Sequence, residues 1–281
     1  MTFSMRTFAP GLTSLVLMIA VGNLVLAASL GPPEDRAFVA RYDGTPQRYV
    51  LMRPAPWDAA AEHDLLIALH GHGADRWQYV RHERGECRGA RDVAAKHGML
   101  FVSPDYRGNS WMGPAAEADL VQLITDLRAQ FKIGRVFLVG GSMGGTSVLA
   151  FTAMHPDLVA GVSAQNPLAN HFGYTAFPEG SAAIAASFGG TPMQIPAEYK
   201  RRSAEYWPET FTMPVAITTG GKDTLVPPES ALRLAAVLKV LNRQILLIHR
   251  PETGHETSYD DTVAALEYVL NQASGPGRPR K

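Results

Sequence analysis

The stretch Val136-Phe137-Leu138-Val139-Gly140-Gly141-Ser142-Met143-Gly144-Gly145 decides how this 281-residue chain is read. An apolar run of strand length enters Gly-x-Ser-x-Gly, and a helix-friendly run from Thr146 to His155 follows. Strand, sharp turn and helix in that order make a nucleophile elbow, which lifts a serine above the sheet. The glycines follow from the geometry. Strand and helix cross closely and the serine backbone is strained, so the neighbouring side chains must be small. Gly140, Gly144 and Gly145 meet that need. Ser142 then stands at a helix N-terminus, where main-chain N–H groups point at a developing oxyanion. The same letters also describe a glycine-rich turn with an incidental serine, so the rest of the chain must decide.

Outward from the elbow, apolar runs alternate with helical patterns. Leu65–Leu69, Met99–Ser103, Val159–Ala164, Pro214–Thr219 and Gln244–His249 read as strands, after a first strand over Gln47–Arg53. Full apolarity, rather than alternation, marks parallel strands covered on both faces. Helices are expected over Glu86–His97 (stopped by Gly98), Ala115–Phe131, Glu229–Leu241 and Asp260–Leu270. In the second of these, Leu120, Leu123, Ile124 and Leu127 fall at helical spacing and define a buried face. This alternation predicts an α/β fold: a mostly parallel, doubly wound sheet with helices on both faces. Residues 166–211 interrupt it and read as a lid-like insertion with a small helix over Ser181–Phe188. Such an insertion belongs over the carboxyl ends of the strands, where these sheets bind ligands.

Composition narrows the function. With 46% hydrophobic and 19% charged residues, the chain suits one larger α/β domain, placed at residues 46–272. Lys+Arg and Asp+Glu balance at 26 each, so no basic surplus exists for nucleic acid or an anionic membrane. Cys87, the single cysteine, permits no internal disulfide and reads as a small buried side chain. Arg6 is the only charge before Glu34, and an apolar run from Gly11 ends in Ala27-Ala28-Ser29. That pattern predicts a signal peptide over 1–28 and a secreted or periplasmic domain; the rival is an uncleaved anchor with the domain on the same side. Residues 29–45 read as a linker and 273–281 as a disordered tail.

An alkyl hydroxyl needs a base to take its proton and an acid to orient that base. After an elbow serine, chain order is acid and then histidine, each just past a late strand. Asp223, in Gly221-Lys222-Asp223-Thr224, follows one apolar strand, and His255, beside Gly254, follows the next. Glu252 is the competing acid; His249 and His155 read as structural. The oxyanion donors are assigned to the backbone N–H groups of Met143 and of His72, in the loop His70-Gly71-His72-Gly73. No partner at metal-ligand spacing accompanies those histidines, so the reading needs neither a metal nor another cofactor.

Leu69–Gly73, Pro104–Gly108, Gly140–Gly144, Gly221–Pro227 and Gly254-His255 together resemble the α/β-hydrolase superfamily. The likeness is nearest to the catalytic domain of the prolyl oligopeptidase family and its secreted esterase relatives. It extends over residues 47–270 and includes Pro196–Tyr206 ahead of the acid strand. The resemblance implies serine hydrolysis through an acyl-enzyme. Oligopeptidases of that family carry a propeller for which the short linker leaves no room. The expectation is therefore a secreted carboxylic ester hydrolase acting on acetyl or feruloyl esters of polysaccharides, or on similar small esters. A serine peptidase without the propeller is the alternative, and a non-catalytic binding protein a third. Trp111, His171 and Tyr174, with Met112, Phe172 and Phe177, are candidates to line an acyl or sugar pocket, against a reading as ordinary lid packing. The sequence sets no oligomeric state.

Overall fold

The computed structural model describes residues 1, 2 and 29–274. The expected signal peptide, apart from its first two residues, and the tail beyond Ser274 lie outside the described residues.

An eight-stranded sheet forms the centre. Its strands are β1 (Glu34–Val39), β2 (Pro46–Met52), β3 (His63–Leu69), β4 (Leu100–Pro104), β5 (Ile133–Gly141), β6 (Gly161–Gln165), β7 (Val215–Gly220) and β8 (Ile245–Arg250). Their order across the sheet is β8-β7-β6-β5-β3-β4-β2-β1. From β8 to β4 every pairing is parallel; β2 is antiparallel to both β4 and β1. The alternating side chains of β5 explain why its run is uniformly apolar. Val136 and Leu138 join one apolar cluster, and Phe137 and Val139 join the other, on the opposite face.

Helices α1 (Gly85–Lys96) and α7 (Tyr259–Ala273) cover the Phe137 face. On the other face lie α2 (Pro114–Gln130), α3 (Met143–Met154) and α6 (Glu229–Val240). Leu120, Leu123, Ile124 and Leu127 of α2 are all buried, as their spacing requires. The segment 166–211 carries α4 (Pro178–Phe188) and α5 (Pro196–Arg202).

The N-terminal boundary needs correction. Residues 34–39, inside the expected linker, form edge strand β1, in register with β2 from Glu34 opposite Leu51 to Val39 opposite Pro46. Its residues Glu-Asp-Arg-Ala-Phe-Val alternate between partly buried and exposed. An edge strand with one wet face reads as polar chain, because its pairing partner, not its composition, makes it a strand.

Candidate active site

Ser142 sits between β5 and α3 with φ 57° and ψ −121°. Such a conformation costs a non-glycine residue about 1–3 kcal/mol and persists only where the surroundings enforce it. Here they do. A Cβ on Gly144 would lie 2.0 Å from the Leu69 carbonyl oxygen, one on Gly140 2.4 Å from the Gly144 backbone, and one on Gly145 2.6 Å from the Gln165 carbonyl oxygen. The three glycines let α3 pass directly over β3, β5 and β6, and the serine N–H donates to the Gln165 carbonyl at 2.8 Å.

The acid and the histidine come together from loops 32 residues apart. Nδ1 of His255 lies 2.6 Å from Oδ2 of Asp223. The other oxygen of Asp223 accepts the N–H groups of Leu225 (3.0 Å) and Val226 (2.9 Å), so the carboxylate cannot turn. Pairing with a carboxylate places the imidazole proton on Nδ1 and leaves Nε2 as the basic nitrogen. His255 lines the cavity that holds Ser142. The two loops are zipped together: Gly221 N–H donates to Arg250 and Lys222 N–H to Thr253. Glu252, the competing acid, is exposed and ion-paired to Lys222, away from the imidazole.

The loop after β3 is equally fixed. Gly71 N–H donates to Gln78 Oε1 and Gly73 N–H to Asn109 Oδ1, both at 2.7 Å. Between them, the His72 N–H has no acceptor among the described residues. Met143 opens α3, so its N–H belongs to the first turn, which has no partner within the helix. Both proposed oxyanion donors are thus unspent.

Ser142, His255 and His72 border a cavity of about 210 Å³. Phe177, Leu225 and Val226 give it apolar wall; Arg84, Glu86 and Glu256 give it charge. Gln78, Tyr79, Gln165 and Asn166 also line it, and sequence reasoning missed them. Gln78 and Tyr79 belong to a single helical turn just after the His-Gly loop, and proximity along the chain was the available signal. Asn166, just past β6, bridges the end of β7 and the loop before α7: its side-chain amide donates to Thr257 and its side-chain carbonyl accepts from Gly220.

The expected substrate-binding trio does not line this cavity. Trp111 is fully buried, and its indole N–H donates to His72 Nδ1 at 3.2 Å. Tyr174 donates its hydroxyl to the Leu225 carbonyl at 2.7 Å. His171 is packed against Phe188 and Ser203, where burial, aided by the Arg202 charge, lowers its pKa to about 3 and keeps it neutral. These large side chains have more apolar area to hide than a small cavity can use, and they form the layer behind its wall. Of the aromatic candidates, Phe177 reaches the cavity.

A family model described as "Prolyl oligopeptidase family" matches residues 88–271. The acylamino-acid-releasing enzyme of Sus scrofa is 23% identical over 82% of this chain, and the match spans 33% of that enzyme's length. Among solved structures, a putative dipeptidyl aminopeptidase IV from Bacteroides ovatus superposes with a TM-score of 0.68 at 18% identity, over 87% of this chain and 36% of that one. A ferulic acid esterase superposes with a TM-score of 0.64 at 15% identity, over 86% of this chain and 98% of that one.

Proposed function

We propose, on the premise that the chain belongs to the prolyl oligopeptidase family, that this serine hydrolase is a carboxylic ester hydrolase working through an acyl-enzyme. The observation that carries the reading is the Asp223–His255 contact of 2.6 Å beside the cavity of the strained Ser142. Ser142 Oγ attacks the ester carbonyl while His255 Nε2 takes its proton and then gives it to the leaving alcohol. Asp223 orients the ring and stabilises the imidazolium. The Met143 and His72 N–H groups hold the tetrahedral oxyanion, each worth about 10²–10³ in rate. Water then repeats the cycle on the acyl-serine.

One observation supports an ester over a peptide. The cavity, about 210 Å³, is below the roughly 300–1,000 Å³ usual for drug-sized ligands, which favours a small acyl group over an extended chain. Acetyl or feruloyl esters of polysaccharides are the substrates we put first, with the domain outside the cytoplasm. A peptidase is the second reading, favoured by Glu86 and Glu256, whose carboxylates at the cavity suit a substrate ammonium.

Hydrolysis of p-nitrophenyl acetate, acetylated xylan and feruloylated sugars, set against aminoacyl anilides, tests the proposal. We expect ester turnover in the wild type and a loss of about 10⁴- to 10⁶-fold in Ser142→Ala. Equal activity in both proteins refutes the mechanism; preference for anilides moves the assignment to peptidase.

A further inference from the structure

We infer that His72 offers the substrate a second donor, its side-chain Nε2–H, and that Trp111 is the positioning residue that puts the proton there. This inference rests on the ester-hydrolase reading of the same cavity.

An indole N–H can only donate. The indole nitrogen of Trp111 lies 3.2 Å from Nδ1 of His72, so Nδ1 must present its lone pair. A neutral imidazole then carries its proton on Nε2; an imidazolium would set N–H against N–H. Among the described residues Nε2 of His72 has no hydrogen-bond partner, and the ring borders the cavity beside Ser142. Phe177 meets the ring edge-on, with centroids 5.0 Å apart and planes at 83°. The imidazole is therefore clamped, held in one tautomer, and left with an unspent donor where an ester would bind. The matching ligand feature is an acceptor oxygen on the substrate: the alkoxy oxygen, or a hydroxyl or carbonyl of the acyl group.

The rest of the structure holds Trp111 to this task. Trp111 and Met112 both take left-handed backbone conformations, φ 47° and 62°, which bulky residues avoid. Two contacts enforce the turn: Arg202 Nη1 donates to the Met112 carbonyl at 2.5 Å, and Ser187 Oγ donates to the Ser110 carbonyl at 2.6 Å. Gly180 in α4 makes room for the indole, since a Cβ there would lie 3.0 Å from its ring. The charged groups around His72 are Glu179 on α4 and, about the cavity, Arg84, Glu86, His255 and Glu256. Burial outweighs the Glu179 charge and holds the His72 pKa below its ordinary value, in keeping with a neutral ring.

Histidine-labelled protein, with His72 assigned through His72→Gln, gives the tautomer by NMR without turnover. We expect the Nε2–H form in the wild type and a mixture of tautomers in Trp111→Phe. An Nδ1–H form in the wild type, or no change in the variant, overturns the inference. Kinetics supply a second arm, because every side-chain variant keeps the main-chain N–H. On p-nitrophenyl acetate, His72→Leu should lose about tenfold in kcat/KM relative to wild type, and His72→Gln, whose amide N–H stands near the Nε2 position, should recover most of it. Equal loss in both overturns the donor role. Ser142→Ala reads the parent mechanism separately, so failure of one is not mistaken for failure of the other.

Discussion

Arg202 Nη2 lies 2.7 Å from Glu117 Oε2, with the guanidinium wholly out of water. Glu117 also accepts from Arg201 (2.7 Å) and from His155 (2.8 Å), and Arg202 reaches on to Glu198 and the Met112 carbonyl. One carboxylate thus ties α2, the end of α3 and α5 together. Removing one partner of a buried pair costs about 3–5 kcal/mol, because the other charge stays buried. Arg202→Met should therefore lower the melting temperature by roughly 10 °C. A melt within a degree of wild type would remove the cluster from the stability of the fold.

The same carboxylate predicts an acid limb. Burial raises the Glu117 pKa, but the His155 hydrogen bond and the Arg202 and Arg201 charges outweigh it and hold the group at about 2, against an ordinary 4.5. A depressed carboxylate contributes its full stability above its unfolded pKa and loses it as pH falls through the folded value. Urea melts of wild type and Glu117→Gln should differ most above pH 4.5 and converge toward pH 2. A gap independent of pH over that window would contradict the assignment.

Asp223→Asn keeps the shape of the side chain and its acceptor for the Leu225 and Val226 N–H groups, but presents an amide to His255. The ring then favours the wrong tautomer, with its proton on Nε2. A fall of about 10⁴ in kcat is expected with little change in KM or in circular dichroism. Activity within tenfold of wild type would mean that another group orients the imidazole.

Gly144→Ala and Gly73→Ala separate close approach from backbone freedom. An Ala Cβ at 144 meets the Leu69 carbonyl oxygen at 2.0 Å and the His70 carbonyl oxygen at 2.8 Å, both backbone atoms that cannot step aside. At Gly73, φ is +77° and nothing lies within 4 Å, so only the left-handed conformation opposes the change, at roughly 1–2 kcal/mol. Thermal melts should show Gly73→Ala folded and slightly weakened, and Gly144→Ala severely destabilised with its hydrolase activity gone. Equal stabilities would mean that the elbow does not need its crossing.

The central strands were legible because burial on both faces leaves a mark on every residue of Leu65–Leu69 in β3, Val136–Gly140 in β5 and Val215–Gly220 in β7. The pairing of His255 with Asp223 was legible because chain order and strand ends constrain both residues, and their contact follows that order. Strand β1 was not legible, since half of its residues face water. Nor was the cavity wall. Glu86 of α1 meets Gln165 and Asn166 from the end of β6 there, and no local pattern encodes that. Trp111 and Tyr174 drew the eye as binding residues, yet their size sends them behind the wall, where each hydrogen-bonds a loop that the site uses.

Cys87 gives a last prediction, free of the catalytic assignment. It lies in α1 with none of its surface exposed, packed in the cluster that α1 shares with α7. Burial, with the Glu86 charge beside it, pushes the thiol up to about 12, despite opposing charge from Arg91 and Arg84. Only the thiolate attacks a disulfide reagent, and at pH 8 a thiol of that kind is ionised to roughly one part in 10⁴. Labelling by an aromatic disulfide should therefore be negligible in native buffer and reach one equivalent once urea unfolds the domain, with a rate that tracks the opening of α1. Prompt stoichiometric labelling of the native protein would show that this helix does not stay closed over its cysteine.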